Sequence, residues 1–108
     1  MDYKIKTIPE FEKQVKRLYK KYPSLVKDLL NLISTLKKNP NQGIALGHNC
    51  FKIRLSIQSK GKGKSGGARV ISCVISINKE VFLLNIYDKA EKDSISKAEL
   101  EYLINKTP

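Results

Sequence analysis

A chain of 108 residues with 21 Lys and Arg against 10 Asp and Glu carries a formal charge of +11, and its length suits one domain, residues 1–108, with a single modest core. The basic excess points to anionic partners such as nucleic acid, an anionic membrane surface or acidic proteins. No run approaches the roughly 18 apolar residues of a membrane span, MDYKIK has no signal-peptide core, and two cysteines without CxxC spacing beside a lone His48 exclude a zinc set, so a soluble, cytoplasmic domain without metal is expected.

Tyr3 to Thr7 alternates Tyr3 and Ile5 with Lys4 and Lys6, the period of a half-buried strand. Thr7-Ile8-Pro9-Glu10 then predicts a capping box, with Pro9 tolerated in the first helical turn. Phe11, Val15, Leu18 and Tyr22 follow at helical spacing and the helix ends before Pro23. Ser24 predicts the cap of a second helix carrying Leu25, Leu29, Leu32, Ile33 and Leu36, closing at Lys37-Lys38. The short link between them makes an antiparallel helical hairpin. Asn39 to Asn49 predicts a turn-rich loop, in which His48 reads more readily as exposed than as catalytic.

Phe51, Ile53, Leu55 and Ile57 alternate with Lys52, Arg54, Ser56 and Gln58, a strand with one core face and one basic face. Ala68 to Ile77 is rich in β-branched residues and fits a central strand, with Cys73 as a buried small hydrophobe. Asn78-Lys79 predicts a reversal into a strand from Val81 to Tyr87, and Asp88 to Asp93 a charged loop. Ser96 and Glu99 form a second capping box, with Ile95 and Leu100 as its hydrophobic staple, before a short helix with Leu100, Leu103 and Ile104 inward. The order β-α-α-β-β-β-α gives an α+β domain: a twisted, mostly antiparallel sheet with an N-terminal helical hairpin on one face and a short C-terminal helix.

The charge is concentrated. No acidic residue lies between Asp28 and Glu80, and Phe51 to Arg69 holds Lys52, Arg54, Lys60, Lys62, Lys64 and Arg69. A block of this kind fits a nucleic-acid backbone, where each added cation displaces counterions. Gly61-Lys62-Gly63-Lys64-Ser65-Gly66 invites comparison with a phosphate-binding P-loop, but Gln58 stands where that pattern needs its first glycine, and a strand rather than a helix is expected next. A nucleotide site is therefore rejected. The sequence offers no HExxH motif and no Ser-His-Asp set, and its central strands lack the gathered carboxylates that a metal-dependent nuclease needs. Cleavage without metal is open to RNA, whose 2′-hydroxyl can attack the adjacent phosphate. The enzyme must then align the backbone, stabilise charge and move protons, and arginine forks suit the phosphate oxygens.

The element order, with KIR on one strand, KGKGKSGGAR entering the next and YDKAEKD leading to the last helix, resembles the RelE/ParE toxin superfamily and looks closest to its HigB-like branch. The resemblance covers nearly the whole chain. It implies the toxin of a type II toxin–antitoxin module: a ribosome-dependent, metal-independent mRNA interferase that cuts messages in the A site, needs no cofactor and is neutralised by a cognate antitoxin. By motif position it implies phosphate-handling roles for Lys52, Arg54 and Arg69, and places Lys89 as the basic residue after the last strand. Lys60, Lys62 and Lys64 are then contacts to the RNA backbone. RelE carries an arginine at the position of Ala90 and a catalytic tyrosine at that of Ser96; the HigB-like branch also does without that tyrosine. The proton-transfer candidates are Tyr87, Lys52, Glu91 and His48. Two other classes stand beside this reading: a ParE-like gyrase inhibitor, which keeps the fold but generally lacks the basic catalytic set, and a basic RNA-binding module without chemistry.

Overall fold

A computed structural model describes residues 2–108, with the backbone alone at Ser65. Five strands form one sheet in the order β1-β5-β4-β3-β2. They are β1 (Lys4–Thr7), β2 (Ile44–Gly47), β3 (Cys50–Leu55), β4 (Ala68–Ile75) and β5 (Glu80–Asp88). Neighbours are antiparallel except β1, which lies parallel to β5 with Lys4 opposite Glu80 and Thr7 opposite Leu83. Four helices complete the chain: α1 (Pro9–Lys21), α2 (Leu25–Lys38), the single turn α3 (Gly63–Gly66) and α4 (Lys97–Ile104).

The helical hairpin forms as its periodicity requires. Leu18, Leu25 and Leu36 are fully buried and share the core with Val70, Leu83 and Ile86 of the sheet. Fully burying one such leucine is worth about 1.5–3 kcal/mol against leaving it exposed. The helix starts differ from expectation. α1 is preceded by Ile8 as its N-cap, and the Thr7 hydroxyl donates to the Glu12 carboxylate rather than capping with Glu10. Ser24 precedes α2, but its hydroxyl donates to Asp28 at 2.8 Å instead of accepting from the helix amides. At α4 the capping box is complete: the Glu99 amide donates to Ser96 Oγ at 3.1 Å and the Ser96 amide to Glu99 Oε1 at 3.2 Å.

Three elements depart from the sequence reading. Part of the expected loop Asn39–Asn49 is the edge strand β2, so the order gains a strand. Four residues with an exposed Ile44 are too few to show a period. His48 and Asn49 take φ of 55° and 60°, positive values at both central positions, as a two-residue hairpin turn needs. β4 stops at Ile75, and Ser76–Asn78 form a 3-10 turn instead of extending it. In β5 the register shifts between Ile71 and Ser72 of its partner and leaves Leu84 as the extra residue of a bulge.

Candidate functional site

Strand register assembles the basic residues. Arg54 lies directly opposite Arg69, and Arg69 directly opposite Tyr87, so one row crosses three strands on the face away from the helical hairpin. Directly opposed residues have Cβ atoms about 4.5–5.5 Å apart, well within reach of such long side chains. The next row on that face is Lys52, Ile71 and Asn85. Arg54 is exposed and Lys52 half-buried.

Arg69 differs from its neighbour. It is only 6 % exposed, and its Nη1 donates to the carbonyls of Lys64 at 3.0 Å and Ala68 at 3.1 Å. Its guanidinium thus sits under the loop that carries Lys62 and Lys64, both exposed. Tyr87 is buried, and among the described residues its hydroxyl has no hydrogen-bond partner. Burial pushes this phenol up, the Arg69 charge opposes the shift, and Glu99 and Asp93 add to it. The Lys92 ammonium lies 5.6 Å from the centre of the Tyr87 ring. A neutral phenol beside a guanidinium can donate a proton, but it is a poor base.

Lys89, just past β5, is ion-paired with Asp93. Asp93 is held below the usual carboxylate range by the Lys89 hydrogen bond and charge, with Lys52 contributing. Asp93 is thus the carboxylate that Lys89 engages, a pairing the sequence does not signal because Asp93 is one of several charges in its loop. Glu91, a proton-transfer candidate, is paired with Arg17 at 3.1 Å. His48 lies in the turn before β3, beyond Cys50, which is itself about 13 Å along the strand from Arg54 at 3.3 Å per residue, so the fold does not bring it to the row. Cys50 and Cys73 face one another across β3 and β4 as buried free thiols.

Lys60 is placed apart from the other loop lysines. Its Nζ donates to Asp88 Oδ1 at 2.5 Å, with its side chain 8 % exposed and that of Asp88 fully buried. The reason is local: a 3-10 turn, Gln58–Lys60, turns it inward beneath the end of β5. Asp88 also accepts from the Tyr22 hydroxyl at 2.5 Å and the Ala90 amide at 2.9 Å. Burial alone would raise the Asp88 carboxyl, yet the bonds from Lys60, Tyr22 and Ala90 hold it at about 2. The same contact, with burial, pushes the Tyr22 phenol up to about 12.

Among the described residues no helix is long and apolar enough to cross a membrane, and no three His, Cys, Asp or Glu side chains gather as a metal set.

The family model of the RelE toxin of the RelE/RelB toxin–antitoxin system matches residues 11–106. Among solved structures, a double mutant of the E. coli toxin RelE in the free state aligns with a TM-score of 0.58 at 18% identity, covering 98% of this chain and 94% of that one. The RelBE2 toxin–antitoxin complex of Mycobacterium tuberculosis aligns at 0.58 and 11% identity, covering 82% and 99%. The intact E. coli RelBE complex aligns at 0.51 and 20% identity, covering 80% and 95%. At these identities the structures establish the shared fold.

Proposed function

Because the chain belongs to the RelE toxin family, we propose that it acts as the toxin of a type II toxin–antitoxin module, a ribosome-dependent endoribonuclease that cleaves mRNA in the A site and stops translation. The row Arg54-Arg69-Tyr87, flanked by Lys52, carries this reading. A gyrase-blocking surface has no need of two arginines aligned across strands, and a passive RNA-binding surface has no need of the phenol beside them.

In the proposed reaction the RNA 2′-oxygen forms a bond to the adjacent phosphorus, the bond to the 5′-oxygen breaks, and a 2′,3′-cyclic phosphate and a 5′-hydroxyl result. Arg54 and Arg69 stabilise the charge that builds on the phosphate oxygens, and Lys52 and Lys89 add to that field. Tyr87, kept neutral by burial, supplies the proton to the departing 5′-oxygen. The proton of the 2′-hydroxyl passes to solvent water, because Asp93, held below the usual carboxylate range by Lys89, is a weak base. Lys62 and Lys64 dock the RNA backbone. Within the family we assign the chain to the HigB-like branch, which also does without the tyrosine that RelE carries at the position of Ser96. The partner is a cognate antitoxin, acidic to match a chain of +11.

Expression of the chain alone, followed by primer extension on abundant messages, tests the proposal. Codon-phased cuts with 5′-hydroxyl ends are expected. Growth arrest without cuts would favour the ParE-like reading, and no arrest the binding module.

A further inference from the structure

Lys60 reads in the sequence as one of three loop cations, yet its side chain is only 8 % exposed. We propose that Lys60 and Asp88 form an internal latch that positions Arg69 for phosphate, making both of them positioning residues rather than RNA contacts. This rests on the ribonuclease reading above and deepens it.

The latch follows from three sets of contacts. The entry of the loop is held twice: the Gln58 amide donates to Asp28 Oδ2 at 3.0 Å, and Lys60 Nζ donates to Asp88 Oδ1 at 2.5 Å. The exit is held at Gly67, whose carbonyl accepts from the Lys89 amide at 3.1 Å and lies 3.5 Å from Lys60 Nζ. Gly67 also packs so closely that a Cβ there would lie 2.1 Å from the Leu55 carbonyl oxygen. Between these fixed ends lies the Lys64 carbonyl, which takes a hydrogen bond from Arg69 Nη1. Asp88 follows Tyr87 directly in β5, so one residue pair ties the loop above Arg69 to the strand that carries the phenol beside it.

The charge arithmetic separates this role from RNA docking. A lysine that contacts phosphate contributes to the salt dependence of binding. A lysine neutralised by a buried carboxylate contributes to geometry, and small displacements of catalytic groups lower the chemical step. The double variant Lys60→Met/Asp88→Asn removes one positive and one negative charge, so the net charge of the chain is unchanged. The carboxamide introduced by Asp88→Asn can accept from the Ala90 amide through its oxygen and donate from its NH2 group to the Tyr22 oxygen, reversing that bond. Replacing a buried ion pair by a neutral pair of similar volume is often tolerated.

The experiment measures cleavage of a ribosome-bound message in a purified translation system, with enzyme in excess, as a function of enzyme and salt concentration. Hydrogen exchange is followed on the amides of residues 61–67. For the double variant the saturated rate should fall at least tenfold, with half-saturating concentration and salt slope within twofold of wild type and faster exchange in the loop. An unchanged saturated rate, or a loss confined to half-saturation and salt slope, overturns the latch. Should the double variant not fold, Lys60→Met alone carries the same test, because it removes the Lys60 end of the latch while Asp88 keeps its bonds from Tyr22 and Ala90. A two- to fivefold drop in saturated rate at unchanged half-saturation supports the latch, and an unchanged rate overturns it. If the wild-type chain makes no cut in this system, the ribonuclease reading itself fails; loop exchange, which needs no substrate, still reports whether Lys60 and Asp88 hold the loop.

Discussion

Arg69→Ala should separate catalysis from folding, because Arg69 serves both. On the catalytic side, removing one preorganised donor to a developing oxyanion costs about 10²–10³ in rate, or about 3–4 kcal/mol. On the structural side, the guanidinium is 6 % exposed and donates to two backbone carbonyls. Hydrogen bonds from a charged group are worth about 1.5–3 kcal/mol each. Truncation also opens space for water beside the loop, which re-satisfies those carbonyls, so a net loss of about 2–3 kcal/mol is expected. A domain of this size has a stability of about 5–15 kcal/mol, so the variant stays folded with a melting point lowered by about 10 °C. The assay pairs urea melts with primer extension at a temperature well below the variant's transition. Arg69→Lys is the control, since it keeps the charge and loses the fork. A folded Arg69→Ala protein that cleaves within threefold of wild type would refute the reasoning. So would an inactive variant whose loss is matched by unfolding.

Tyr87→Phe removes a buried hydroxyl that has no partner among the described residues, so urea melts should show stability unchanged or raised by up to about 1 kcal/mol, while cleavage falls at least tenfold. Equal activity of the two proteins would remove Tyr87 from proton transfer. Lys62→Ala with Lys64→Ala should leave the saturated rate intact and flatten the salt dependence of RNA binding, by about 0.7 per lost phosphate contact on a single strand; an unaltered slope would show that neither lysine touches the backbone. For Asp88 the folded carboxyl sits at about 2 against an ordinary 3.8. A depressed folded value means stability present above the ordinary value and lost as pH falls toward 2, about 2 kcal/mol in all. Wild type should therefore lose stability steeply between about pH 4 and 2, and Asp88→Asn should flatten that limb in acid denaturation curves; parallel curves would contradict the assignment.

The helices and the central strands were legible because each buries a continuous apolar face: Leu18, Leu25, Leu32 and Leu36 at helical spacing, Ile53 and Leu55 at strand spacing. The edge strand β2 was not, since a four-residue strand with an exposed isoleucine has little burial to impose a pattern. In the candidate site, the shared face of Lys52 and Arg54 followed from alternation alone. Which residues stand opposite them depends on register, which the β5 bulge at Leu84 shifts without any local signal. Lys60 shows the sharper limit. Three lysines alternate with glycines and look equivalent, but only the first lies at a turn above a buried carboxylate 28 residues away. Composition reports charge; it does not report which charge is already neutralised inside the fold.

The parallel pairing of β1 with β5 bears on when this protein can fold. Lys4 is synthesised well before its partner Glu80, with α1, α2 and the strands β2, β3 and β4 between them. The helical hairpin and the antiparallel β3-β4-β5 meander rely on contacts close in sequence, whereas β1 must close a loop around both of them. Such long-range closure is slow relative to local pairing. The order of assembly this implies is helices first, meander next and the N-terminal strand last. The sheet is therefore whole only once β5 has been made, and a nascent chain halted before it lacks both β5 and the residues that follow it.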